Sequence, residues 1–246
     1  MMLRRCCWFQ WVRDVGSLRQ TTLGDVFELQ PEPAGFAYDP GLVQADRFEY
    51  DSGPERKYRA VVLGLDPGLK HFGVAVLVER EDGGHACLFG EAIETDPTPK
   101  KQRRHLRVSV DDQRRMHELW KRVAHGPAER WKPTAVAVEA HQPFAGAGHG
   151  HANSWKTGVV YGMCHGIAYH LGVPLFLTYP FDLKRDIAKK KTASKQEVEV
   201  AICARVSGLR GILEALPDDA REHVADAAGH AFLALGQLSE IRSLGG

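Results

Sequence analysis

The stretch Val61 to Val78, VVLGLDPGLKHFGVAVLV, constrains the fold more than any other part of the chain. Two apolar, β-branched runs flank a Pro-Gly turn, the pattern of two paired strands joined by a short connection. The first run ends on a single carboxylate, Asp66. An acid among apolar residues costs free energy unless a cation or a hydrogen-bond donor meets it. Asp66 is therefore a candidate site residue, and the question is what surrounds it.

The chain has 246 residues, enough for one large domain plus a tail. Its 43% apolar and 26% charged content is ordinary for a globular protein. No apolar run approaches the roughly 18 residues needed to span a bilayer. Five cysteines without a C-x-x-C pair argue against a zinc ribbon or a disulfide scaffold and for a reducing compartment. A net charge of +1 means that any nucleic-acid contact must come from local patches.

Residues 1–57 differ from the rest of the chain. Arg4, Arg5, Arg13 and Arg19 face one acid, Asp14, in the first twenty positions. Such a start reads as an organellar transit segment, a disordered arm or an upstream start codon, of which the last two are favoured. Leu29 to Pro54 is rich in Pro, Gly and acids without a sustained period and reads as loop. Periodicity then predicts strands over Arg59–Leu65, Phe72–Glu79 and Ala86–Thr95, the last two joined by the Asp82-Gly83-Gly84 turn. A helix capped by Asp111 or Asp112 comes next, with Met116, Leu119, Trp120 and Val123 on one face and Gly126 as its end. Thr134–Val138 is a fourth strand, closing on Glu139. The Gly/His loop from Ala145 to Asn153 leads to a helix over Trp155–Leu171, a fifth strand over Pro174–Leu177, a helix from Ser194 to Val206 with Glu197 completing a capping box, and a last helix opened by Pro217. An antiparallel meander followed by αβ crossovers gives an α/β fold, a mixed five-stranded sheet flanked by helices.

Three acidic features align in this order. Asp66 ends strand one, Glu139 ends strand four, and His223 and Asp226 share a face of the last helix at i, i+3. Strands one and four become neighbours once the intervening helix crosses over. Two carboxylates side by side disfavour each other unless a cation lies between them. Hard divalent cations are held in this way, by a few carboxylates plus substrate phosphate, and a pair of them supports in-line phosphoryl displacement. The cations of the chain concentrate in two segments. One carries Lys100, Lys101, Arg103, Arg104 and Arg107; in the other, Lys184 to Lys195, six cations including Lys189 and Lys190 stand against one acid. Those segments are the expected phosphate contacts.

Asp66-Pro67-Gly68 with Gly73 seven positions after the Asp, Glu139 at the end of Val136-Ala137-Val138, and His223-x-x-Asp226 in an Ala-rich final helix resemble the RuvC family of Holliday junction resolvases. Ser194-Lys195-Gln196-Glu197-Val198, with Lys184 eleven positions before Lys195, extends the resemblance to roughly residues 58–236. The basic run leading into Asp111-Asp112-Gln113-Arg114-Arg115 resembles phage-type and other divergent members. The resemblance implies an RNase H-like fold for a domain over 58–246, a homodimer, and Mg²⁺ dependence with Mn²⁺ as a substitute and two ions per site. It implies paired nicks across a four-way DNA junction that leave 5′-phosphate and 3′-hydroxyl ends. Asp66, Glu139, His223 and Asp226 take the catalytic and metal-ligand positions. Many members have an Asp where His223 stands and some have a His, so His223 is a ligand or a water-activating base. Lys184 and Lys195 resemble the phosphate-contacting lysines, and Phe144 the aromatic stacked on a junction base. The compartment implied is the cytoplasm of a bacterial or phage-infected cell, or an organelle if residues 1–20 are a transit segment.

Each feature has an ordinary alternative. Asp-Pro-Gly is a common turn, Glu139 is compatible with a solvated strand end, and a helical His–Asp pair on a surface is worth roughly 0.2–0.5 kcal/mol. Their joint occurrence in family order favours a site. Asp219 and Glu222, one turn before His223 and Asp226, are rivals that rank as capping or solvated acids. His149-Gly150-His151 reads as a DNA-facing loop rather than a metal site, and His230 as a satisfied core histidine. Competing functions are an RNase H-like nuclease for forks, flaps or RNA–DNA hybrids, an actin-like ATPase, and a junction-binding protein without catalysis.

Overall fold

The computed structural model describes residues 58–102, 107–140 and 151–244, with side chains of α2 from residue 156 onward. The expectations placed on residues 1–57, on Arg103 and Arg104, and on Phe144 and the His149-Gly150 loop lie outside the described residues.

Three strands, β1 (Tyr58–Asp66), β2 (His71–Arg80) and β3 (His85–Glu94), form the antiparallel meander. Helix α1 (Val108–Val123) then crosses to β4 (Ala135–Glu139), which lies parallel to β1 on its free side. Helix α2 (His151–Leu171) leads to β5 (Leu175–Thr178), parallel to β4. Helices α3 (Lys195–Cys203), α4 (Leu209–Glu214) and α5 (Asp218–Leu244) complete the chain. Val206–Ser207 adds a short strand, β6, so among the described residues the sheet has six strands, in the order β5-β4-β1-β2-β3-β6, rather than five. Its two residues pair with His85 and Ala86 at the β3 edge. A two-residue strand has no periodicity to read; its pairing is set by the tertiary contact.

Side-chain alternation explains both faces of the sheet. Leu63, Leu65, Phe72, Val74, Val76, Val136 and Val138 point to the α1/α2 side and form one core with Leu119, Val123, Val160, Cys164 and Ile167. The opposite face carries Val62, Ala75, Leu77, Ala135 and Ala137 against Val224, Ala227, Ala228 and Ala231 of α5. Large residues thus fill the first face and small ones the second, which lets α5 lie close on the sheet. The same parity puts Asp66 and Glu139, one residue beyond these runs, on the α5 side.

Three glycines let α5 approach this closely, two of them against its backbone and one against a side chain. A Cβ at Gly64 would stand 2.0 Å from the Ala227 carbonyl oxygen, one at Gly73 2.1 Å from that of His223, and one at Gly90 2.7 Å from a Val224 methyl. Gly73 lies directly across from Asp66 in the β1–β2 register. At Gly68 the constraint comes from the turn itself, because a Cβ there would meet the His71 carbonyl at 2.1 Å.

Some helix boundaries differ from expectation. Arg107, not Asp111, stands at the start of α1, and Asp111 is buried in the first turn. It accepts from the Thr98 amide at 2.9 Å and the Thr98 hydroxyl at 2.5 Å, tying the Pro97–Pro99 segment to the helix. Gly126 breaks the helical path as expected: its backbone leaves the helical region (φ -105°, ψ -106°), and a separate short turn over Glu129–Trp131 follows the kink. Helix α2 begins at His151, inside the span expected as loop. Helix α3 stops at Cys203, and its capping box is formed, Glu197 N–H donating to Ser194 Oγ and Ser194 N–H to Glu197 Oε2.

Candidate active site

Leu65 pairs with Val138, so Asp66 and Glu139 leave adjacent parallel strands at the same level. Helix α5, seated on Gly64 and Gly73, brings His223 and Asp226 over them. His223 Nδ1 lies 2.6 Å from Asp66 Oδ2, and both side chains are mostly buried. Lys195, at the start of α3, reaches across to pair with Glu222 and lies 3.9 Å from Asp226 Oδ2. Asp66, Glu139, His223 and Asp226 therefore converge at one end of the sheet, with Lys195 at their mouth.

The electrostatics record how crowded this end is. Burial, then the charges of Asp66 and Asp226, push Glu139 up to about 7 against the pull of Lys195. Burial and then Asp66 raise Asp226 to about 6, with Lys195, His223 and Lys184 opposing. The hydrogen bond to Asp66 holds His223 above the ordinary imidazole range, although burial works the other way. These directions are those of carboxylates gathered with too little counter-charge.

The donor set fits a divalent metal. Hard oxygen ligands predominate, their repulsion is what a cation would relieve, and the present counter-charges are a lysine and an imidazole that can be displaced. Among the described residues no three acidic, histidine or cysteine side chains stand together in an arrangement that could by itself hold a metal ion. The cluster is an open one, the kind that substrate phosphate and water complete.

The turn after Asp66 is held from behind. Arg115, itself buried, donates to the Leu69 carbonyl at 3.2 Å and to the Thr95 carbonyl at 2.9 Å, while Thr95 donates its hydroxyl to Leu69 and its amide to the Lys70 carbonyl. Asp112 pairs with Arg115 and, at 3.1 Å, with Lys156. His230 is a core residue as expected, but only half satisfied. Its Nδ1 meets the Thr178 hydroxyl, its Nε2 has no partner, and burial lowers it to about 4.

The basic segment after β5 is less uniformly free than its composition suggests. Arg185 is bound to Asp182 and Asp186, and Lys190 to Glu197 at 2.6 Å, which with the capping box draws Glu197 down to about 2. Lys184 is half-buried close enough to Asp226 to lower it, and Lys189 is exposed in the left-handed region at φ 57°.

Two residues touch the site that sequence reasoning does not place there, and two exposed aromatics follow β5. Glu222, expected as a capping or solvated acid, is the partner of Lys195. His71, in no motif, stacks on His223. Tyr179 and Phe181 come just after β5 with roughly half their surface exposed, and the Phe181 ring lies under Arg185 at 5.5 Å and Lys191 at 6.0 Å. Aromatics interleaved with cations just after β5 are a readable signal for the last two.

No family model matches the chain. The crossover junction endodeoxyribonuclease RuvC of Thermus thermophilus is 32% identical over 178 residues, covering 71% of this chain and 95% of the relative. That of Rubrobacter xylanophilus is 29% identical over 178 residues, covering 71% and 86%. The solved structure of Thermus thermophilus RuvC superposes with a TM-score of 0.51 at 28% identity, covering 72% of this chain and 96% of that one. T. thermophilus RuvC in complex with a Holliday junction substrate gives 0.52 at 26% identity, covering 70% and 90%. At 32% identity over 71% of this chain and 95% of the relative, the chain belongs to the RuvC family of crossover junction endodeoxyribonucleases.

Proposed function

We propose that the chain resolves four-way DNA junctions by metal-dependent hydrolysis of one phosphodiester in each of two strands. The observation that carries the reading is the convergence of Asp66, Glu139, His223 and Asp226 at one sheet end, with Lys184 and Lys195 at its edge. Enzymes of the family are metal-dependent, and here Asp66, Glu139, Asp226 and His223 would hold Mg²⁺, with Mn²⁺ as a substitute and two ions per site. When bound, such ions supply activation of the attacking water and charge neutralisation at the leaving oxygen. In the hydrolysis, water adds to phosphorus, the P–O3′ bond breaks and O3′ takes up the proton, leaving 5′-phosphate and 3′-hydroxyl ends.

The chain's own groups divide the remaining work. Because His223 is bound to Asp66 through Nδ1, Nε2 is the atom left to ligate or to accept a water proton. Lys184 and Lys195 position the phosphate, and Lys195, steered by Glu222, balances Asp226 until DNA arrives. Tyr179 and Phe181 offer ring faces to bases unstacked at the branch, each worth about 1–3 kcal/mol. Arg103, Arg104, Lys189 and Phe144 complete the DNA contact. Two nicks placed symmetrically call for two sites related by a two-fold axis, hence a homodimer. The working compartment is the cytoplasm; among the described residues no helix is long and apolar enough to cross a membrane.

The decisive measurement is cleavage of a synthetic four-way junction beside a matched duplex, a fork and an RNA–DNA hybrid, with Mg²⁺ or with chelator. Mg²⁺-dependent nicking in pairs across the junction, with the duplex untouched, is expected. Preferential cleavage of the hybrid would replace the junction reading with that of an RNase H-like nuclease.

A further inference from the structure

We propose that His71 is a positioning residue that fixes the imidazole of His223; this rests on the reading of Asp66, Glu139, His223 and Asp226 as the hydrolytic site. His71 opens β2 at the far end of the turn begun by Asp66. Its ring lies nearly parallel to that of His223, with centroids 5.4 Å apart and 7° between planes, an offset stack. The Asp66 contact holds one edge of His223 at Nδ1 and His71 holds one face. The terminal torsion of a histidine is broad, so an edge contact alone leaves the ring free to tilt or flip. Edge and face together leave one orientation, with Nε2 directed away from Asp66.

A space-filling role does not account for a histidine at this position. His71 Nδ1 is buried without a hydrogen bond, although Glu94, opposite His71 in the β2–β3 register, has Oε1 at 3.3 Å. The separation is short enough for an ion pair, but the angle makes no hydrogen bond. An orphaned ring nitrogen costs free energy that a leucine would not incur. The backbone beneath the ring is also pinned: the His71 carbonyl abuts Gly68, and the preceding carbonyl accepts from Thr95. His71 is thus delivered to the face of His223 by the same turn that delivers Asp66. Residues that orient a reacting group in this way are typically worth about 10–100-fold in activity.

The test uses the full chain with His71→Ala, His71→Phe and Asp66→Asn, at one fixed pH, alkaline enough that His223 is neutral. Three quantities are read: single-turnover junction cleavage with Mg²⁺, metal-free junction affinity, and the His223 tautomer from long-range ¹H–¹⁵N correlation, its signals identified by their loss in His223→Gln. His71→Ala is expected to slow cleavage about 10–100-fold with affinity unchanged, and to mix the two His223 tautomers where the native chain shows Nδ1–H alone. His71→Phe, which keeps a flat face, is expected to restore the single tautomer and the rate to within about threefold. Native rate and native tautomer in His71→Ala would overturn the proposal. So would a His71→Phe variant as slow as His71→Ala. If His71→Ala does not fold, His71→Phe and His71→Leu replace it, and equal rates and tautomers in those two would overturn it. Asp66→Asn separates the two readings: undiminished cleavage there removes the site assignment, whereas loss of cleavage there beside a fully active His71→Ala removes only the role of His71.

Discussion

Glu139 concentrates the electrostatic cost of the site in one side chain. Its carboxyl titrates near 7 in the folded chain against an ordinary value of 4.5, chiefly because burial and two neighbouring acids disfavour its charge. Above pH 7 the folded state carries that charge at a cost which the unfolded chain does not bear. As pH falls from 7 towards 4.5 the folded state takes up the proton first, so this group's contribution to stability rises on acidification. Glu139→Gln removes the cost. After discounting for partial exposure, the variant should be more stable than the native chain by about 1–2 kcal/mol at pH 8 in chelator, a Tm higher by roughly 2–8 °C. It should also lose cleavage. Thermal melts at pH 8 and pH 5 check the sign: the advantage should shrink at pH 5, and an advantage independent of pH would point to packing instead. Mg²⁺ should raise the Tm of the native chain more than that of Glu139→Gln, since only a ligand that binds the folded state stabilises it.

At the scale of elements, the site depends on how closely α5 lies on the sheet. Gly64, Gly73 and Gly90, on three adjacent strands, meet the helix backbone or its valine, and the helix answers with Ala227, Ala228 and Ala231. Gly73→Ala would put a methyl 2.1 Å from the His223 carbonyl and 3.1 Å from Asp66 Cβ. Neither neighbour is a flexible side-chain end, so α5 must lift. The expected outcome is a loss of about 1–3 kcal/mol in stability and a fall in cleavage out of proportion to it, because His223 moves with the helix. Urea melts paired with single-turnover rates check this, and native cleavage in a destabilised Gly73→Ala would show that the site tolerates displacement of α5. Period-2 and period-3.6 patterning make the strands and helices legible in the sequence, while the grouping of Asp66, Glu139, His223 and Asp226 is what the family resemblance implies. The His71–His223 stack is not legible, because it joins positions 152 residues apart whose rings give no periodic sign. The stop at Gly126, by contrast, is legible, because a glycine followed by a proline breaks a helix locally and the backbone does kink there.

Over the whole molecule, a net charge of +1 has to yield a surface that binds a polyanion. Composition alone counts Lys184, Lys189, Lys190 and Lys195 alike, but the folded chain distinguishes them. Lys190 is docked on Glu197, which the capping box of α3 fixes in place. The pairs of Lys195 with Glu222 and of Lys190 with Glu197 are both exposed and each contributes about 0–1 kcal/mol, but Lys195 also faces Asp226 of the acid cluster. Lys184 stands where its charge already acts on Asp226, beside the expected path of the phosphate. Lys184 and Lys195 therefore stand beside the acid cluster where a scissile phosphate would lie, while Lys190 is directed to Glu197 at the start of α3. Each lysine neutralising a duplex phosphate contributes roughly 0.9 to the slope of log affinity against log salt concentration. Lys184→Ala with Lys195→Ala should lower that slope by about 2, and Lys190→Ala should leave it nearly unchanged. Junction binding titrated without metal across several salt concentrations gives both slopes. Equal losses from all three positions would mean that charge density alone, and not the pairing set by the fold, selects the contacts.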